Sequence, residues 1–239
     1  MRAPHSRERG AALLLLLMLL GLGVATIFLQ GAGRDLLDLP RQQRSQQLVQ
    51  QAQEALIGFA ATHGRLPRPA ISGTDGRENP QPCSSAASCT GLLPWVTLGI
   101  EGADAWAKRL HYSVTPVFAE WPLHRTDAVA DKVVLGRMAN GQLYYAHGSA
   151  QCSVQRPCAA AVIFSSGRRN LGISVDGIVQ ANNDSGNVDE LKNIGSTNQF
   201  ITRPLNADAR QPGGEFDDIV TWVPVKKLYA VMATTGSLD

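Results

Sequence analysis

The sequence lacks the short motifs that most often carry enzymatic chemistry. It contains no H-E-x-x-H, no G-x-S-x-G, no P-loop and no dinucleotide-binding fingerprint. Its five histidines stand apart from one another along the chain. We therefore expect neither catalysis nor an organic cofactor, although a triad assembled from distant residues would be recognised only by its geometry.

The sequence also lacks an excess of one charge. It has 22 Lys and Arg against 20 Asp and Glu in 239 residues. The excess lies entirely in residues 1–10, which hold three arginines and one glutamate, so residues 11–239 are balanced. A balanced domain gives no reason to expect nucleic acid as a partner.

One long stretch has no charge at all. The apolar run from Ala11 to Leu29 has 19 residues and would be about 28 Å long as a helix, close to the thickness of a bilayer core. The basic residues before it predict a cytoplasmic N-terminus, with the rest of the chain across the membrane. The alternative is a secretory signal peptide, whose apolar segment is usually shorter.

The cysteines are few and regularly spaced. Four of them form two C-x5-C units, which allow three disulfide pairings that sequence alone does not distinguish. We predict the two local pairs, Cys83 with Cys89 and Cys152 with Cys158, in an oxidising compartment. A structural zinc site would usually have tighter spacing.

Helical spacing of apolar residues between Leu48 and Phe59 predicts a helix over about 41–62. Residues 64–104 are dense in Pro, Gly and Asp and are expected to be irregular. Strands are predicted near 110–114, 132–139, 142–148, 159–167 and 217–223, with a hairpin turn at Asn140-Gly141. Pro224 and Gly236 bracket a short C-terminal helix. The predicted fold is α+β, a long N-terminal helix packed on an antiparallel sheet.

Acidic side chains offer a possible cation site. The stretch from Asn182 to Glu190 and the pair Asp217-Asp218 are rich in oxygen ligands, which calcium prefers. Their spacing does not match an EF-hand, and a plain polar loop is the alternative. The calcium candidates are Asp184, Asp189, Asp217 and Asp218.

The N-terminus resembles that of type IV pilin-like prepilins, including the pseudopilins of type II secretion. The stretch "RERGAALLLLLMLLGLGVATIFLQ" has the basic leader that ends in glycine directly before an apolar helix. Further likeness lies in "GRLPRPA", "GLLPWVTLG", "AVIFSSG" and "DAWAKRLHYSVTP", where Asp104 and Trp106 precede a strand that carries Tyr112.

The resemblance implies a processing site and a route. Prepilin peptidase would cut between Gly10 and Ala11, and Ala11 would be methylated. The helix would lie first in the lipid bilayer of the bacterial inner membrane, as a single span with a periplasmic C-terminal domain. It would then pack with other subunits in a filament, built with an inner-membrane assembly platform. The residues expected in that membrane and filament helix are Leu13, Leu14, Leu15, Leu16, Leu17, Leu20, Ile27 and Leu29.

The same resemblance implies four segments. They are a leader at 1–10, a transmembrane and filament-core helix at 11–29, the periplasmic part of that helix at 30–63, and a globular pilin-like domain at 64–239. The implied function is a minor pilin or pseudopilin with a structural task.

The chain departs from the family pattern at three places. Leu15 stands at the fifth mature position, where pilins usually carry a glutamate that pairs with a neighbouring N-terminus. Its absence suggests a tip or priming subunit. Ala107 replaces a usual glycine, and Arg68 stands where a cysteine is expected. Two rival functions stay open: a membrane-anchored periplasmic binding domain that never polymerises, and an anchored periplasmic hydrolase.

Overall fold

The structure is a computed structural model that describes residues 7–120, 123, 128–182 and 186–238. Of residues 7–13, 15 and 21–37 it describes the backbone and not the side chains. The chain divides into two compact units, Met1–Gln43 and Arg44–Asp239, which are treated separately below.

The first element is a long helix, α1, from Arg7 to His63. It contains the predicted helix 41–62, begins far earlier, and has Pro40 inside it. Among the described residues, no helix combines the length and hydropathy that a membrane span requires.

Within the described residues, the second unit contains all the strands and the three short helices that follow α1. The helices are α2 (Trp95–Leu98), α3 (Val188–Gly195) and α4 (Val225–Thr235), with a 3-10 turn at Pro116–Ala119. The strands are β1 (Thr90–Leu92), β2 (His111–Val114), β3 (Val133–Arg137), β4 (Leu143–His147), β5 (Ala159–Ser165), β6 (Gln199–Ile201) and β7 (Ile219–Pro224).

Four strands form the central sheet, in the order β1-β2-β5-β7, and all its pairs are antiparallel. Tyr112 lies opposite Ile163 in β5, and Val162 lies opposite Trp222 in β7. Every residue of β5 is buried. A strand that is apolar on both faces is covered on both sides, and the chain provides two different covers.

One face of the central sheet packs against α1. Leu48, Val49, Ala52, Leu56 and Ala60 are all buried in one hydrophobic cluster with side chains of the sheet. They recur at helical spacing, so one stripe of the helix meets the core while Gln50 and Gln51 stay exposed. Gln53 reaches the sheet edge by donating from Nε2 to the carbonyl of Trp222.

The other face of the central sheet is covered by a second, three-stranded sheet. Its order is β4-β3-β6, and β3 pairs antiparallel with β4 but parallel with β6. Val134 and Phe200 from this sheet pack on Val162 and Phe164 of β5. Burying such side chains contributes on the order of 2 kcal/mol each.

The α+β class and the antiparallel sheet are therefore confirmed. The hairpin at Asn140-Gly141 joins β3 to β4, and Gly141 has the positive φ of 88° that favours glycine. The C-terminal helix ends at Gly236, as predicted. The prediction of a single sheet was wrong, because the hairpin of β3 and β4 belongs to the second sheet. Helix α3 and strand β6 were not predicted.

Candidate functional site

The loop before β2 holds a buried aspartate that organises its own turn. The carboxylate of Asp104 accepts from the backbone N–H of Trp106 and of Lys108, both at 2.9 Å, and from the hydroxyl of Ser165 at 2.5 Å. Burial raises the pKa of Asp104, and these hydrogen bonds oppose the rise. The turn also meets α1, since the Ala105 N–H donates to Ser45 Oγ at 3.1 Å.

Ala107 lies in this turn with φ of 59°, a left-handed conformation that costs a residue with a Cβ about 1 kcal/mol. Glycine would adopt it without that cost. The family resemblance implies glycine at position 107, and the backbone conformation at this position favours glycine.

The turn places Lys108 next to the segment that follows β5. Its side chain is buried, and Nζ donates to the carbonyls of Arg169 at 2.5 Å and Asn170 at 3.1 Å. Burial lowers the pKa of Lys108, while Asp217, Asp104, Asp218 and Glu190 act in the opposite direction. The ammonium group of Lys108 therefore interacts with a group of acidic side chains.

Three of those carboxylates form a cluster. Glu190 of α3 and the pair Asp217-Asp218 before β7 bring oxygen atoms within 4.8 Å of one another. Glu190 and Asp218 are almost fully buried, at 1% and 6% exposed. Burial raises the pKa of Glu190 to about 7, and burial together with Glu190 raises that of Asp218 well above its usual value.

Hydrogen bonds hold the cluster in place. Glu190 accepts from Asn187 Nδ2 at 2.7 Å and from the Asp217 N–H at 2.8 Å. Asp218 accepts from Asn193 Nδ2 at 2.7 Å. Asp217 Oδ2 accepts from two backbone N–H groups of residues 168–169, while its Oδ1 is buried and has no hydrogen-bond partner among the described residues.

Three adjacent carboxylates cannot all be ionised at low cost in a buried site. They share protons at neutral pH or take up a cation, and calcium favours such oxygen ligands. The chemistry of the cluster is therefore proton or cation binding, and Glu190, Asp217 and Asp218 are the residues that could hold a metal.

Two of the four predicted calcium candidates meet in this cluster. Asp217 and Asp218 lie together, whereas Asp189 lies apart with its carboxylate between Arg137 and Arg203, 2.5 and 2.9 Å away. Asp184 lies outside the described residues. Glu190 ends the predicted oxygen-rich stretch but was not among the four candidates, and the structure brings it to Asp217 and Asp218.

The cysteines pair as predicted, Cys83 with Cys89 and Cys152 with Cys158. No free cysteine is left. Each bridge closes a loop between elements, which stabilises the domain by restricting the unfolded chain, by about 2 kcal/mol.

The predicted processing and filament residues lie in the first unit. Gly10 and Ala11 are within α1, with side chains outside the described set, as are the side chains of Leu13, Leu15, Ile27 and Leu29. Four others are exposed by 59–66%: Leu14, Leu16, Leu17 and Leu20.

Compared with protein-family models, with curated protein sequences and with solved structures, the chain matches none of them.

Proposed function

We propose that the chain is a minor pilin or pseudopilin, a structural subunit of a type IV pilus or of a type II secretion pseudopilus. The observation that carries this proposal is the N-terminal pattern, in which a basic leader ends at Gly10 directly before the uncharged run Ala11–Leu29. Prepilin peptidase would remove residues 1–10, and the run would anchor the chain in the inner membrane before assembly.

The second unit supports the proposal by its architecture. One apolar stripe of α1, from Leu48 to Ala60, packs on an antiparallel sheet, so this part of the N-terminal helix and the globular domain share one core. The two disulfides fit an oxidising periplasm.

The position in the filament follows from Leu15. A subunit without a carboxylate at the fifth mature residue has no partner for the N-terminus of the subunit that precedes it. We propose that it stands at the tip or primes assembly, where that contact is not needed. Its partners are then other pilin subunits, the peptidase and the inner-membrane assembly platform. The carboxylate cluster serves this task by fixing α3 to β7, with a proton or a calcium ion.

The proposal is tested by the N-terminal mass of the full chain from native membranes, with and without prepilin peptidase. The expected mature chain starts at Ala11 and carries one additional methyl group. Deletion of the peptidase, or a Gly10→Leu substitution, should leave the leader attached. The matched control is Gly21→Leu, which changes a glycine within the apolar run and should be processed normally.

An intact Met1 in the presence of the peptidase would contradict the proposal. It would favour an anchored periplasmic binding domain instead. A start near Thr26 or Arg34 would indicate removal of a signal peptide.

A further inference from the structure

Sheet edges expose unpaired N–H and C=O groups, and natural proteins usually cover them. The two sheets of this chain have four outer strands, β1, β7, β4 and β6. Three of these edges receive hydrogen bonds from elsewhere in the chain. The fourth, β4, differs from them.

The edge of β1 is covered by the segment before it, since the Ala70 N–H donates to the Leu92 carbonyl at 2.9 Å. The edge of β6 is covered by Asn193 of α3, whose amide donates to the Ile201 carbonyl at 3.0 Å and accepts from the Ile201 N–H at 2.6 Å. At the edge of β7, Gln53 Nε2 donates a hydrogen bond to the Trp222 carbonyl. Each cover uses a specific side chain or segment of the same chain.

The edge of β4 has no such cover. Among the residues that the structure describes, the backbone of Leu143–His147 is bonded only across the ladder to β3. Leu143, Tyr144 and Tyr145 are 39%, 45% and 51% exposed. Large apolar side chains therefore stand on both faces of an open edge.

The usual protection of an edge strand by charge is also missing. From Met138 to Gln155 the sequence contains no Asp, Glu, Lys or Arg, and no proline. His147, the remaining titratable group on β4 besides the two tyrosines, has its pKa lowered by burial and is neutral at pH 7. The nearest charged group on the neighbouring strand, Arg137, is held by Asp189.

Lack of charge matters most when a strand pairs with its own copy. In an antiparallel pair across a two-fold axis, each residue at the centre faces itself, so a charged residue there would repel its mate. The regular part of the β4 ladder is Leu143–Tyr145, and the shift in register falls beyond it. Pairing centred on Tyr144 places Tyr144 against Tyr144 and Leu143 against Tyr145, without any like-charge contact.

Gly136 supports this geometry from β3. It lies opposite Tyr144, and any Cβ at Gly136 would come within 2.2 Å of the Tyr144 ring. The ring thus occupies the space over the glycine that a larger side chain would fill. Aromatic pairs between strands contribute about 0.2–1 kcal/mol each beyond the backbone hydrogen bonds.

We propose that β4 is a dimerisation edge, at which a second copy of this chain adds its own β4 in antiparallel orientation. The pairing joins the two three-stranded sheets into one six-stranded sheet. Dimerisation through β4 does not depend on the proposed filament function, because β4 lies in the second unit of the chain.

The test uses the full chain in detergent, with a cysteine placed at the two-fold axis. Tyr144→Cys should give a disulfide-linked dimer under mild oxidation, since facing residues in an antiparallel pair lie within the Cα separation that a disulfide requires. Val179→Cys is the matched control, because Val179 is 74% exposed and lies outside the edge. We expect the yield of disulfide-linked dimer to be roughly five-fold higher for Tyr144→Cys than for Val179→Cys.

A second variant separates this edge from association through α1. Tyr144→Lys places two ammonium groups against each other and should weaken dimerisation about ten-fold or more, whereas Val179→Lys should leave it unchanged. Unchanged circular dichroism would show that both variants fold. Equal cross-linking of the two cysteines, a Tyr144→Lys dimer of normal strength, or cross-links from Tyr144→Cys to another protein in native membranes would overturn the proposal.

Discussion

Asp189 and Glu190 are neighbours on α3 and are both 1% exposed, yet their charges meet opposite surroundings. Asp189 lies between Arg137 and Arg203, so its charge is neutralised within the fold. Glu190 faces Asp217 and Asp218, and Lys108 is a cation whose charge interacts with all three. A buried carboxylate stays ionised where cations pair with it and takes up a proton where other carboxylates surround it.

Asp189 therefore belongs to a structural ion pair, whereas Glu190 belongs to a site that can bind a proton or a cation. Removing one partner of a buried pair leaves an uncompensated charge. Removing one charge from a group of like charges relieves repulsion. Mutations at the two neighbours should therefore change stability with opposite signs.

The largest effect is expected at the paired neighbour. Asp189→Ala leaves Arg137 and Arg203 without their carboxylate and should lower the free energy of unfolding by about 3–5 kcal/mol, as measured by urea unfolding. Asp208→Ala is the control, since Asp208 pairs with an exposed Arg210 and its loss should cost far less than that of Asp189. Equal effects of the two substitutions would contradict the view that burial makes the Asp189 pair costly to break.

The next effect depends on pH. The pKa of Glu190 in the folded chain is about 7, above its value of about 4.3 in an unfolded chain. The folded state therefore holds this proton more tightly, and its contribution to stability is lost as pH rises through 7. Relative to the parent chain, Glu190→Gln should gain on the order of 2 kcal/mol between pH 5 and pH 8.

The comparison with the parent chain is needed because His111 acts in the opposite direction. Burial lowers the pKa of His111 to about 4, so its contribution to stability rises with pH up to its unfolded value. Urea unfolding of both chains with a calcium chelator present measures the difference. A difference that stays constant with pH would mean that Glu190 is not protonated in the folded state.

A smaller effect of the same origin is expected at Asp218. Asp218→Asn keeps an oxygen that can accept from Asn193 and removes the negative charge from the cluster. At pH 8 the variant should be about 1 kcal/mol more stable than the parent, and at pH 5 the two should be alike. Asp189→Asn, the matched change at the paired neighbour, should destabilise at both pH values. Destabilisation by Asp218→Asn at pH 8 would show that the cluster is not under charge repulsion.

The smallest effect concerns the turn that positions Lys108. Ala107→Gly relieves the left-handed strain and should stabilise the domain by about 0.5 kcal/mol after the entropy of glycine is counted. Ala105→Gly, two residues away and without positive φ, should destabilise it slightly. Thermal unfolding of both variants gives the comparison, and a loss of stability in Ala107→Gly would contradict it.

The sequence predicted those elements that have strong local signals. The stripe from Leu48 to Ala60, the Asn140-Gly141 turn and the Pro224–Gly236 helix all carry their own periodicity or turn residues. The parallel pairing of β6 with β3 has no such signal, because β6 has three residues and its partner strand is distant in sequence. Two of the three carboxylates in the cluster, Asp217 and Asp218, were predicted together because they are adjacent, while Glu190 joins them only when α3 packs near β7.

Entry of this chain into a filament is tested most directly by its presence in filaments sheared from cells and purified. We expect a small amount of chain that starts at Ala11 in this fraction, lost when Gly10→Leu blocks processing and retained with Gly21→Leu. A chain that is processed but stays entirely with the membranes would contradict the proposed filament function.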